Sequence, residues 1–367
     1  MAIKRGVSLY SYQQEQFFGR MNWKDMVREV RENLHTDGIE IINESIIPKY
    51  PFPTDEFIYD WRDFLARYDM KAVTKDVYLD TMRFRDHVMT HKEAAELLRL
   101  DLKIASEMGF ENVRCLSAVP LDVMVMAEDA AVKYNVRIGK EIHAPNPILY
   151  DPANPRSALV HDVCEYVDKT GSKFIGLVPD FGIFQHHMPR VTCAHTIRSA
   201  DPEKRKFCED NLNLGFEALQ EAYNKKYPSG EGMFADRLPS AFFPELHKQP
   251  AAAEDVKLIV PYIFSIHGKF YEMTEIPGEP GHYEDAAIDY AGPIKYLNEC
   301  GFDGYIDSEY EGQRDQQDQG MEGLADEVKE VRRHHEMLAR LSGEGENIVS
   351  NLYGFGEPCS QSPFGYS

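Results

Sequence analysis

Glu141 and His143 stand two residues apart in the stretch Gly139-Lys140-Glu141-Ile142-His143-Ala144-Pro145, where a short apolar run meets a proline loop. Alternate side chains of a strand share a face, so this carboxylate and this imidazole would open into one cavity. A carboxylate can hold a cation, and an imidazole titrates near neutrality, which suits metal-assisted or general-base chemistry. Taken alone, the pair equally suits an edge strand with both residues facing water. Asp180, His267 and Glu309 likewise end apolar runs and precede loops. Three carboxylates and one imidazole form an oxygen-rich ligand set for a divalent cation, and without a cation the carboxylates would repel one another. Mixed oxygen and nitrogen donors favour Mn2+, with Mg2+, Co2+ or Fe2+ as alternatives, whereas structural zinc prefers cysteine. A strand-end Asp also serves as a helix cap, and Glu311 competes with Glu309 for the eighth-strand role.

These residues need a frame that brings four strand ends together. The hydrophobic pattern predicts strands at 6–12, 38–43, 71–77, 112–116, 136–142, 174–180, 258–267 and 304–309. Helices are expected at 23–34 after Asn22, at 55–68, and at 91–108 up to Gly109, then at 121–133, 157–170, 293–299 and 321–341. Eight strand–helix units predict an α/β fold, a (β/α)8 TIM barrel, in which chemistry sits at the carboxyl ends of the strands. A doubly wound sheet is the rival, but the first strand runs into Tyr12-Gln13-Gln14-Glu15-Gln16 and not into a glycine-rich phosphate turn. The expected catalytic domain is 1–343, with a long insertion at 185–255 between strands six and seven that holds a helix near 210–226. An irregular tail is expected at 344–367, rich in Gly, Ser, Pro and aromatics. Its Tyr353, Phe355, Phe364 and Tyr366 would be covered by a second copy or by another subunit.

Composition narrows the partners. Lys and Arg number 40 against 61 Asp and Glu, a net charge of −21 that repels a polyphosphate backbone. No apolar stretch approaches the roughly 20 residues of a membrane helix. Cys115, Cys164, Cys193, Cys208, Cys300 and Cys359 are scattered without a CxxC pair, and the start reads directly into a strand, so a cytoplasmic protein with reduced thiols is expected.

The phrases RGVSLYSY, DGIEI, EIH, SIHGKFYE and GYIDSEYEG resemble those of the sugar isomerase/epimerase TIM barrels, similar in fold to xylose isomerase, over roughly residues 4–341 outside the insertion. The resemblance implies one divalent metal on Glu141, Asp180, His267 and Glu309, and a substrate contact from Lys269, two residues beyond His267. Ketose 3-epimerases of this kind place a His three residues after the sixth-strand Asp, where this chain has Ile183. Among these barrels the chain is most similar to the large catalytic subunit of bacterial C-glycoside deglycosidases, which work with a small companion subunit. That likeness implies cleavage of a 3-oxo-C-glycoside by C2 proton abstraction and β-elimination, with His143 as the base. A metal-dependent sugar isomerase or epimerase is the alternative, and a non-catalytic sugar-binding barrel is a third reading.

Overall fold

The computed structural model describes residues 3–228, 236–246, 251–345, 348–350 and 352. Eight parallel strands form the barrel: β1 Lys4–Ser8, β2 Gly38–Ile42, β3 Lys71–Val77, β4 Asn112–Cys115, β5 Arg137–Ile142, β6 Ile175–Pro179, β7 Ile266–Phe270 and β10 Tyr305–Tyr310. The short antiparallel pair β8 Met273–Glu275 and β9 Tyr283–Asp285 lies outside it. Hydrogen-bonded neighbours run β6-β5-β4-β3-β2-β1-β10-β7, and the ring closes only through isolated parallel bridges, Leu177 to Ile263 and Asp180 to His267. This is the TIM barrel expected from the strand–helix alternation.

Local chemistry explains the elements. The helix Trp23–Glu32 starts at Asn22, whose side chain accepts from the backbone of Lys24 and Asp25 while Asp25 returns a bond to the Asn22 backbone. Thr90 and Glu93 build the same box before His91–Met108, which stops at Gly109 with φ 88°. This helix buries Ala94, Leu98, Leu102, Ala105 and Met108 against the sheet.

Several boundaries differ from the sequence expectation. The first strand ends at Ser8, and Leu9–Tyr12 turn as a 3-10 helix. The apolar stretch expected as strand seven is mostly 3-10 turn, Ala253–Leu258 and Val260–Tyr262, and β7 begins only at Ile266. Pro261 has no N–H for a ladder, and the turns return the chain to the barrel floor. His267 is therefore the second residue of β7 and does not end it. The helix expected near 210–226 is two helices, Pro202–Asp210 and Phe216–Lys226, parted at Gly215 with φ 77°. They share a small core of Cys208, Leu219, Tyr223 and Leu238, separate from the main one. The last helix starts at Glu327 behind an Asp326 cap, six residues later than expected. Glu344 pairs with Arg5 at 2.9 Å, Val349 is buried, and the tail aromatics Tyr353, Phe355, Phe364 and Tyr366 lie outside the described residues. Cys115, Cys164, Cys193, Cys208 and Cys300 are free thiols, and among the described residues no helix is long and apolar enough to cross a membrane.

Candidate metal centre

A cavity of about 390 Å³ opens at the carboxyl end of the barrel strands, and Glu141, His143, Lys269 and Glu309 all line it. The inward face of β5 carries Glu141 to the wall, and His143 follows just past the strand end. Asp180 follows β6 directly and caps the turn Phe181–Phe184 by accepting from Gly182 N at 2.6 Å. Gly182 is needed here: a Cβ would lie 2.9 Å from Asp180 Oδ1 and 3.3 Å from Lys269 Cδ. His267 and Lys269 project from β7, and Glu309 from β10 beside them.

One ligand atom each from Glu141, Asp180 and His267 fall within 4.8 Å of one another, all three residues buried. Glu309 Oε2 sits 3.1 Å from His267 Nδ1, yet neither atom has a hydrogen-bond partner. Two orphaned polar atoms, buried and facing each other across a carboxylate cluster, fit the donor set of a divalent cation. The opposite nitrogen of the ring, His267 Nε2, is bonded to Glu40 Oε1 at 2.6 Å, which orients the imidazole and leaves Nδ1 aimed at Glu309.

The fold supplies cations of its own around this cluster. Arg114 donates to Glu141 Oε1 at 2.5 Å and to Asp76 Oδ1 at 2.6 Å. Lys269 Nζ donates to Asp180 Oδ2 at 2.6 Å and lies 3.7 Å from Glu309 and 3.6 Å from Glu311. Burial opposes the charge on Lys269, but Asp180, Glu311 and Glu309 outweigh it and hold the ammonium well above its usual range. Burial and Arg114 oppose the charge on His267, and Glu309 and Glu40 override them to raise it. Glu309 is pushed up by burial, but His267 and Lys269 pull it well below the usual carboxylate range. Glu40 stands at about 7, lifted by burial and by Asp76.

His143 is arranged differently. Its Nδ1 donates to the carbonyl of Ala144 at 2.6 Å, and that carbonyl can only accept. Nε2 therefore carries the lone pair, and Lys269 Nζ donates into it at 2.9 Å. The ring is half exposed to the cavity mouth. Ile183, where a second histidine would stand in an epimerase, is fully buried, and His186 and His187 pair with each other in the loop beyond.

Sequence reasoning missed Glu40, Asp76 and Arg114, all buried in the barrel interior. The signal was present: each is a charged residue inside an apolar strand, a position tolerated only where charges are paired.

No protein-family model matches the chain. A C-glycoside deglycosidase alpha subunit from Arthrobacter globiformis is 25% identical over 355 residues, covering 93% of each chain. A 3'-dehydrocarminate deglycosidase alpha subunit from Microbacterium sp is 24% identical over 375 residues, covering 94% of this chain and 97% of that one. The crystal structure of a sugar phosphate isomerase/epimerase from Parabacteroides distasonis superposes with a TM-score of 0.53 at 11% identity, covering 93% of this chain and 96% of that one. Along nearly its whole length, then, the chain is similar to C-glycoside deglycosidase alpha subunits, on a barrel fold shared with sugar isomerases and epimerases.

Proposed function

We propose that this chain is a divalent-metal-dependent lyase that cleaves the carbon–carbon bond of 3-oxo-C-glycosides, releasing an aromatic aglycone. The observation that carries the reading is His143, an imidazole with its Nε2 lone pair turned toward Lys269 and the cavity beside a buried carboxylate cluster. The names of the curated relatives supply the bond class.

A C-glycoside has no leaving oxygen to protonate, so the usual two-carboxylate glycosidase route is closed. Prior oxidation of the sugar to a 3-ketone, by another enzyme, acidifies the C2 proton. His143 Nε2 takes that proton. The C–H electron pair becomes the C1–C2 double bond, and the C1–aryl pair leaves on the aglycone carbon, which regains a proton. No oxidant is needed in this step, and the proton held by His143 balances the one consumed. Lys269 holds a sugar oxygen and keeps Nε2 aligned before substrate enters. A divalent ion on Glu141, Asp180, His267 and Glu309, most fittingly Mn2+ with Mg2+ or Co2+ as alternatives, would supply fixed positive charge to the oxygen that gains charge in the elimination. Because the relatives are named alpha subunits, we propose that this chain also works with a small companion subunit.

The test is aglycone release from a 3-oxo-C-glucoside with the companion protein present. His143→Gln is expected to keep its metal and lose roughly 10²–10⁴-fold in rate. The unoxidised glucoside should be inert to both proteins. Equal rates for the two proteins remove His143 from the chemistry. Epimerisation of a free ketose, without aglycone release, transfers the case to an isomerase.

A further inference from the structure

The cavity has two ends of different character. Its inner end is built from buried charge: Glu141, Glu309, Asp76, Arg114 and Lys269. Its outer end is built from Tyr10, Leu116, Tyr78 and Arg314, of which Tyr78 is well exposed. The lining holds five carboxylates, Glu44, Asp76, Glu141, Glu309 and Glu311, on a chain of net charge −21. An anionic ligand group could enter only against a local cation. Arg114, Lys269 and Arg314 are the Lys and Arg side chains of this lining. Arg114 is committed to Asp76 and Glu141, and Lys269 to Asp180, both buried. Arg314 is different: its side chain is 55% exposed, with Nη1 3.0 Å from Glu311 Oε1. Its guanidinium lies over the Tyr10 ring, 5.1 Å from the centroid. A planar cation with open donors beside an aromatic face is suited to an anionic aromatic group.

The loop that carries Arg314 is held from outside the barrel. Gly312–Gln319 turns as a 3-10 helix, and the segment between β6 and β7 grips it. Arg198 donates to the Asp315 carbonyl at 3.0 Å and to Asp318 Oδ1 at 2.7 Å, and Thr192 bonds the Asp315 carboxylate. Both gripping residues lie on the helix Arg190–Ser199.

We propose that Arg314, seated on Glu311 and Tyr10, is a specificity residue that receives an ionised phenol or carboxylate of the aglycone, and that Arg198 is the positioning residue that holds its loop. This rests on the lyase reading for the word aglycone, but not for the binding chemistry. It also gives the long insertion a role at the cavity mouth.

The test uses the full chain and needs no turnover. Binding of 3-hydroxy-2-naphthoate and of its neutral methyl ester is measured by calorimetry. The wild type should prefer the anion, and that preference should weaken with ionic strength. Arg314→Gln should cut the preference about tenfold, the scale of one charge-assisted hydrogen bond. Arg314→Lys should keep much of it. Arg198→Ala should reduce it partially and Arg198→Lys restore part of it, with metal content unchanged in both. Equal loss for acid and ester, or a wild-type preference insensitive to salt, overturns the proposal. In the lyase assay the same variants should raise KM for acidic aglycones more than they lower kcat. If no aglycone is released by the wild type while the naphthoate preference behaves as described, the reaction is wrong and the anion site stands.

Discussion

Asp307 and Glu309 sit two residues apart on β10, on the same face, and their carboxyls are pushed in opposite directions. Asp307 lies in the barrel's middle layer. Neither of its oxygens has a hydrogen-bond partner, and burial together with Glu40 lifts it well above the usual carboxylate range. Glu309 lies one layer higher, where His267, Lys269 and Arg114 overcome its burial and hold it ionised. Burial alone is nearly the same for both, since Asp307 is 0% and Glu309 5% exposed. His267 pulls on both, but Lys269 and Arg114 add to it at Glu309, whereas Glu40 and Asp76 add to burial at Asp307. Cations beside Glu309 favour its charged form, the form a metal ligand needs, whereas burial disfavours charge on Asp307 beneath it.

Removing charge from the upper layer should have the largest effect. Glu309→Gln or Glu141→Gln should abolish metal retention and activity together, measured by elemental analysis and aglycone release. Full activity in the wild type after exhaustive chelation would remove the metal from the account. Crowding the middle layer should come next. A Cβ on Gly6 would lie 1.9 Å from Asp307 Oδ1, so Gly6→Ala should destabilise the fold by about 1–3 kcal/mol, read from the chemical-denaturation midpoint. The smallest effect should come from Asp307→Asn, which keeps the side chain's size and removes a carboxyl whose charged form burial disfavours. A carboxyl raised on folding is fully stabilising only below its unfolded value, roughly 3.9, and costs stability as pH climbs from there toward its folded value. Asp307→Asn should therefore flatten that decline and leave activity nearly intact. A variant that loses its metal instead would erase the distinction between the layers.

The alternation of strands and helices was legible partly because some helices carry their own start and stop, as the Thr90–Glu93 box and Gly109 show. The seventh strand was not, since an apolar run of the right length around Pro261 turns out to be 3-10 turn, while β7 itself carries His267 and Lys269 facing inward. Barrel strands lined with charge escape a search for apolar periodicity. Glu141, Asp180, His267 and Glu309 could be picked out as polar residues closing apolar runs, His143 by its alternation with Glu141, and Lys269 only through the family resemblance, although His267 proves to be the second residue of β7. Glu40, Asp76 and Arg114 carried the mark of charge inside a strand, but their pairing was hidden because the partners are distant in sequence: Arg114 reaches Asp76 and Glu141, 38 and 27 residues away. The grip of Arg198 on the loop Gly312–Gln319 likewise depends on a contact 117 residues distant.

The barrel is a hoop with a thin place. Between β6 and β7 the ladder shrinks to isolated bridges, and one of them joins Asp180 to His267. An ion shared by those two side chains would act as a rivet driven through the seam, so that the same ligation that serves chemistry would fasten the hoop. Loading and unfolding would then be coupled mechanically, and a chelated protein would be expected to give way first along this line rather than at its helices.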